Sequence, residues 1–206
     1  MNHQSRQRYS APSDPALRTR AIESLLLEKG LIVPEAIDAV AAMLEHDIGP
    51  FNGARVVARA WSDPEYKKRL LANGNAGLEE LGLTAPTELI VLENTDHVHN
   101  MVVCTLCSCY PWTLLGLPPT WYKSPEYRAR VVIEPRAVLA EFGLELPESM
   151  EIRVWDSTAE TRYLVLPRRP ANTNDWSIDD LVGIVTRDAM TGAADVADPN
   201  EQQAHL

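Results

Sequence analysis

The sequence predicts an α+β fold, with a helical N-terminal arm followed by a compact mixed α/β domain. Three observations carry that expectation. Apolar residues recur at helical spacing through most of the first half, and proline or glycine punctuates the periodic stretches. In the second half the apolar residues gather into short β-branched runs instead. The three cysteines, Cys104, Cys107 and Cys109, lie in one short stretch just after such a run.

Residues 1–13 are polar and read as a disordered arm. Ser13 or Asp14 can cap a helix that has Pro15 in its first turn. Over 16–29 that helix sets Leu17, Ile22, Leu25 and Leu26 near one face, and Gly30 stops it. Pro34 opens a second helix over 35–46, with Ile37, Val40, Ala41 and Leu44 as its apolar stripe. Gly49-Pro50 breaks the chain, and helices over 52–62 and 64–72 follow, divided at Ser62-Asp63-Pro64. Residues 88–93 and 98–103 are β-like, and irregular proline-rich chain is expected from Pro111 to Pro119. Short helices over 126–131 and 136–142 lead to strands over 152–156 and 161–166, joined by the turn-prone Ser157-Thr158-Ala159. A capped helix over 177–186 has Asp179 and Asp180 in its first turn, and a small, polar tail frays after Gly192.

The chain has 206 residues, 45% of them hydrophobic and 23% charged, enough to bury a real core. Its formal net charge of -10 repels phosphate backbones, which argues against nucleic acid as a partner and disfavours anionic membrane surfaces. No run is long and apolar enough for a membrane span, and the first residues lack the apolar stretch of a secretory signal. A cytoplasmic location is therefore expected.

Cys104-Thr105-Leu106-Cys107-Ser108-Cys109 has the spacing C-x-x-C-x-C. A disulfide-stapled secreted domain spreads an even number of cysteines along its length, whereas three packed together form one site. A structural zinc ion takes four ligands, and His97 or His99 on the preceding run would have to supply the fourth. An iron–sulfur cluster usually takes four cysteines, one more than this chain has. The spacing also suits a tight loop whose three sulfurs point at one ion, with the amide nitrogens of Ser108 and Cys109 binding it once deprotonated. Such strong donors favour trivalent cobalt or iron, and they leave a sixth position open to water, hydroxide or a substrate nitrogen. The residues alone lead to a metal centre with hydrating or hydrolytic potential and stop there.

The stretch VCTLCSCYPW, continuing to LGLPPTWYKSPEYRARVV, resembles the α subunit of nitrile hydratases, whose pattern is V-C-[TS]-L-C-S-C. Thr105 and Tyr110 match the cobalt-type version, and iron-type members carry Ser and Thr there. ARVVARAWSDPEYKKRLL and EIRVWDSTAETRYLVLPRRP are similar to family segments before and after the loop, so the resemblance covers most of the chain. It implies a hydro-lyase that converts nitriles to amides. It also implies Co(III), one ion per α subunit, held by the sulfurs of Cys104, Cys107 and Cys109 and the amides of Ser108 and Cys109. Cys107 would be oxidised to sulfinic acid and Cys109 to sulfenic acid. A β subunit would hold those oxygens with two arginines, in an αβ heterodimer or α2β2 heterotetramer, and an activator protein would insert the cobalt. On this reading residues 1–82 are the arm and hairpin region, and 83–206 the catalytic metal-binding domain.

Cys109, Ser108 and Arg162 are the expected catalytic residues, and Trp112 is the expected wall of an apolar substrate pocket. Asp156, Glu160 and Arg162 match the family's W-D-[ST]-x-x-E-x-R and would orient the metal loop and the partner's arginines. The plainer alternatives are a solvated turn with surface ion pairs for those three and core packing for Trp112. Trp121, Tyr122 and Tyr127 read as core or subunit interface, and His97 and His99 as surface or interface. The chain departs from the family at Thr113, where proline is usual, and over 84–88, which is shorter than the family's Gln-Gly-Glu stretch. Residues 172–176 also depart, from Gly-Thr-x-Gly-Trp. Two other functions stay open. One is the metal subunit of a thiocyanate hydrolase, which shares the loop; the other is a non-catalytic zinc-binding interaction module.

Overall fold

The structure, a computed structural model, describes residues 14–196. The expected polar arm over 1–13, the Ser13 cap and the tail beyond 196 lie outside the described residues, as do the side chains of 44–46. The chain divides into two compact units between Met43 and Leu44. The first holds α1 (Asp14–Glu28) and most of α2 (Pro34–His46). An exposed i,i+4 pair, Arg18 to Asp14 at 2.7 Å, staples the start of α1. The expected apolar face of α1 is present but bare, and the helix buries no side chain.

The second unit contains the core. Its helices are α3 (Pro50–Ser62), α4 (Pro64–Ala72), α5 (Gly74–Glu79), α6 (Trp112–Leu115), α7 (Thr120–Lys123), α8 (Pro125–Arg130), α9 (Pro135–Glu141) and α10 (Ile178–Ile184). Its strands are β1 (Glu88–Glu93), β2 (Val98–Val103), β3 (Glu151–Asp156) and β4 (Thr161–Leu166). A proline sits in the first turn of α3, α4, α8 and α9, where its missing N–H costs nothing. Asp63 ends α3 and caps α4, its side chain accepting from the amides of Glu65 and Tyr66. Ser177 and Asp180 form a reciprocal capping box on α10.

The strands form two separate parallel pairs. β1 runs beside β4, with Glu88 opposite Thr161, and β2 runs beside β3, with Val103 opposite Asp156. Although only a short turn joins β3 to β4, they do not pair with each other. Parallel pairing needs long crossovers. The crossover from β2 to β3 carries the cysteine loop and α6 to α9. The core gathers Val56 and Val57 of α3, Leu70 of α4, Met101 and Val103 of β2, Leu115 of α6, Tyr122 and Tyr127, and Leu164 and Leu166 of β4. Leu92, Val102 and Val165 form a smaller second cluster.

Three sequence expectations are corrected. The stretch from Pro111 to Pro119 is not wholly irregular, since it contains the single turn α6, whose Leu114 and Leu115 are buried. The short helices α5 and α7 also escaped prediction. α5 is rich in glycine, and Gly74 packs where a Cβ would overlap the Leu89 carbonyl. The tail does not fray at Gly192: Gly192, Ala193 and Val196 are buried. His99 is no surface residue, being only 2% exposed, whereas His97 is exposed.

Candidate metal centre

The parallel register of β2 and β3 builds the site. β2 delivers the chain to Val103, and Cys104 follows, buried at its end. Asp156 stands opposite Val103, so its carboxylate faces the start of the loop. It accepts from the Thr105 amide at 2.9 Å and from the Thr105 hydroxyl at 2.5 Å. Two charge-assisted bonds to one carboxylate fix where the loop begins.

Beyond Thr105 the loop closes on itself. The Cys107 sulfur lies 3.4 Å from that of Cys104 and 3.3 Å from that of Cys109. All three cysteines are free, and their sulfurs lie within 4.8 Å of one another, close enough for one ion. Among the described residues this cluster contains no histidine. Both ring nitrogens of His99 are occupied elsewhere, one with Asn94 at 3.2 Å and one with the Gly192 carbonyl at 2.8 Å. His99 therefore supplies no fourth zinc ligand.

The sulfurs are electrostatically unequal. Cys107 is brought down to about 7, first by hydrogen bonds from the Cys109 and Cys104 thiols and then by the amide N–H groups of Ser108 and Cys109. Burial and the neighbouring thiols push Cys109 up to about 12, against the pull of Arg162. One thiolate forms readily at neutral pH, and its negative charge opposes ionisation of the next.

Residues outside the loop hold its later part. Tyr122 is fully buried and donates its hydroxyl to the Cys109 carbonyl at 2.9 Å. Its ring meets that of Tyr110 edge to face at 4.9 Å. Arg128 of α8 donates to the Cys107 carbonyl at 3.3 Å. The sequence reading took Tyr122 for core or subunit interface and passed over Arg128. No spacing rule links either to the cysteines, and only the fold of α7 and α8 brings them there. Tyr122, Tyr127 and Trp121 do pack as core, with Trp121 4.9 Å from Tyr127 and 5.1 Å from Phe142.

Arg162 at the start of β4 donates to the carbonyls of Thr158 and Thr161. Among the described residues Glu160 makes no side-chain hydrogen bond to the loop; it accepts from the Thr158 hydroxyl at 3.1 Å. Trp112, Thr113 and Arg162 line a small cleft with Ala85, Pro86 and Tyr110, its volume about 20 Å³. Two of the three segments that depart from the family pattern thus meet at this cleft. A larger cleft of about 550 Å³ lies between Glu93, Asp96, Arg168, Arg169 and Asp195, and no cysteine lines it. Donor chemistry, not cavity size, marks the site. Among the described residues no helix is long and apolar enough to cross a membrane.

Comparison with known proteins agrees with this geometry. The family described as "Nitrile hydratase, alpha chain" matches residues 13–194. The cobalt-containing nitrile hydratase α subunit of Pseudonocardia thermophila is 53% identical over 178 residues, covering 85% of this chain and 87% of its own. The thiocyanate hydrolase γ subunit of Thiobacillus thioparus is 45% identical over 195 residues, covering 88% and 80%. A solved double mutant of the Fe-type nitrile hydratase of Comamonas testosteroni Ni1 superposes with a TM-score of 0.86 at 44% identity, covering 91% of this chain and 94% of that one. A match that runs almost end to end, with three cysteines gathered where a strand delivers them, means that the chain belongs to the nitrile hydratase α-chain family.

Proposed function

We propose that the chain is the metal-bearing α subunit of a cobalt nitrile hydratase, and that it hydrates nitriles to amides at Cys104, Cys107, Ser108 and Cys109. The spacing of the sulfurs carries the reading. Cys107 lies 3.3 and 3.4 Å from its two neighbours and all three sulfurs lie within 4.8 Å of one another, which suits three sulfur donors on one ion. The amides of Ser108 and Cys109, between and at the last two sulfurs of the loop, would supply two further donors. Cobalt is favoured over iron by Thr105 and Tyr110 and by the cobalt-containing relatives. When bound, the ion supplies Lewis acidity toward a nitrile or a water.

The chain's own residues then have definable tasks. Asp156 fixes the loop's entry through Thr105. Cys109, half-buried beside Arg162, carries the sulfenate oxygen that acts as nucleophile or base when water adds across the C≡N bond. Trp112 and Arg162 line the small cleft beside Tyr110, the residue after Cys109. Glu160 braces the Thr158 turn that receives Arg162. No cysteine lines that cleft of about 20 Å³, and a second subunit would complete a substrate pocket over the loop. Exposed apolar side chains suit such a β subunit: Leu106 is 90% exposed, Ile133 81% and Phe51 65%.

The test is metal analysis and peptide mass on the cobalt-loaded αβ complex, followed by assay on a nitrile panel. One cobalt per α chain, about three added oxygens on the loop peptide and amide product are expected. Cys109→Ser should fold, lack the oxidisable sulfur and lose turnover. Zinc bound to unmodified thiols, with no amide formed, would sink the reading. Thiocyanate hydrolysis is the second reading, favoured by the 45% identity to the γ subunit of that enzyme. Release of carbonyl sulfide from thiocyanate, with nitriles untouched, would select it.

A further inference from the structure

We infer that Arg128 is a positioning residue of the metal centre, holding the Cys107–Ser108 peptide in place. The inference rests on the reading of the loop as a metal site.

Three observations point to Arg128. Its guanidinium donates to the Cys107 carbonyl at 3.3 Å, across 21 residues of sequence. Its Nε is buried, and among the described residues it has no hydrogen-bond partner. Among the described residues it also forms no ion pair, unlike its neighbour Arg130, which is tied to Glu134 at 2.6 Å and Glu141 at 2.7 Å. A half-buried guanidinium without a carboxylate is costly unless other acceptors face it, and the Cys107 carbonyl is the one it meets.

The position is fixed rather than incidental. Ser124 caps α8 by accepting from the Tyr127 amide at 3.1 Å. Tyr127, one residue before Arg128, is buried and donates its hydroxyl to the Val102 carbonyl at 2.7 Å. The helix is therefore pinned to the strand that runs into the loop. The loop is held from outside at Thr105, Cys107 and Cys109, by Asp156, Arg128 and Tyr122. Of these three partners only Arg128 is a cation.

The grip matters because of peptide geometry. The Cys107 carbonyl oxygen and the Ser108 nitrogen belong to one planar unit, so fixing the oxygen fixes the direction of the nitrogen. Any negative charge on that nitrogen is shared with the oxygen through the same resonance, where the guanidinium meets it.

The experiment compares Arg128→Gln and Arg128→Lys with the unaltered chain in the cobalt-loaded αβ complex. The readouts are cobalt loss to a chelator, the sulfur-to-metal charge-transfer absorption, and the melting temperature as a check on folding. Arg128→Gln should lose cobalt about tenfold faster and shift the absorption band. Arg128→Lys, which keeps the charge but not the fork, should fall between Gln and Arg. Unchanged retention and an unchanged band in a folded Arg128→Gln complex would overturn the proposal and leave the metal-site reading standing. If Arg128→Gln does not fold, Arg128→Lys decides, because wild-type retention and band without the fork would equally overturn it. An unaltered complex that takes up no ion at the loop would defeat the metal-site reading itself, and this inference with it.

Discussion

Asp156 and Arg162 do different work although both come from one stretch of the β3–β4 segment. Asp156 bonds the loop directly, through both the amide and the hydroxyl of Thr105. Arg162 bonds carbonyls of its own turn and reaches the cysteines only through its field on Cys109. Asp156→Asn keeps the size but removes the charge and one acceptor, so metal affinity should fall by about 10- to 100-fold with little change in melting temperature. Arg162→Ala should leave metal content near normal and lower turnover. Metal titration alongside steady-state rates separates the two, and an Asp156→Asn chain that binds cobalt normally would remove Asp156 from the centre. At this scale the sequence was informative where chemistry is local. The cysteine spacing and the W-D-[ST]-x-x-E-x-R text led to the cluster and to Asp156. It was silent on Tyr122 and Arg128, which reach the loop only through the packing of α7 and α8.

Among the elements, the parallel pairing of β2 with β3 is what makes the site, because it puts Asp156 level with the end of β2. Periodicity located both strands but is blind to partner and direction, which long-range contacts decide. The helix capped by Ser177 was legible for the opposite reason, since its cap acts within three residues, as the caps at Asp63 and Ser124 also do. The 3-10 turn Ala189–Thr191 and the Gly192 that ends it were not legible. Their order comes from burial against β4 and β2, not from composition. Gly192 has a φ of 78°, and a Cβ there would overlap the Asn100 carbonyl oxygen. Gly192→Ala therefore combines a left-handed penalty of about 1 kcal/mol with a backbone clash, for a total loss of about 3 kcal/mol or more. Chemical denaturation should show the midpoint falling, whereas Gly30→Ala, with φ of 63° and nothing within 4 Å, should show only the smaller penalty.

Across the whole molecule, the end of the second unit is tied to the strand that carries the cysteines by one buried polar network. Asn94 accepts from the Asn100 amide at 2.8 Å, Asn100 accepts from the Trp155 indole at 2.9 Å, and Asn100 donates to the Glu93 carbonyl at 2.9 Å. His99 completes it, with Nε2–H donating to the Gly192 carbonyl and Nδ1 accepting from the Asn94 amide. That pattern requires a neutral ring, since a proton on Nδ1 would face the Asn94 NH2 group. Burial lowers the pKa of His99 below its ordinary 6.5, and Arg168 acts in the same sense. The Gly192 carbonyl and Asp195 pull upward without overcoming burial. The sign of the consequence is fixed. Above 6.5 both the folded and unfolded rings are neutral, and the network's contribution is complete. As pH falls below that value the unfolded chain binds the proton first, so stability drops until the folded ring titrates too, with a slope of at most about 1.4 kcal/mol per pH unit. Unfolding free energies measured from about pH 7.5 down to about pH 5 should therefore decline. His99→Gln should be less stable at neutral pH, because one network bond is lost, yet flatter across that range. A His99→Gln chain as steeply pH-dependent as the parent would place the titrating group elsewhere and free the C-terminal turn from this control.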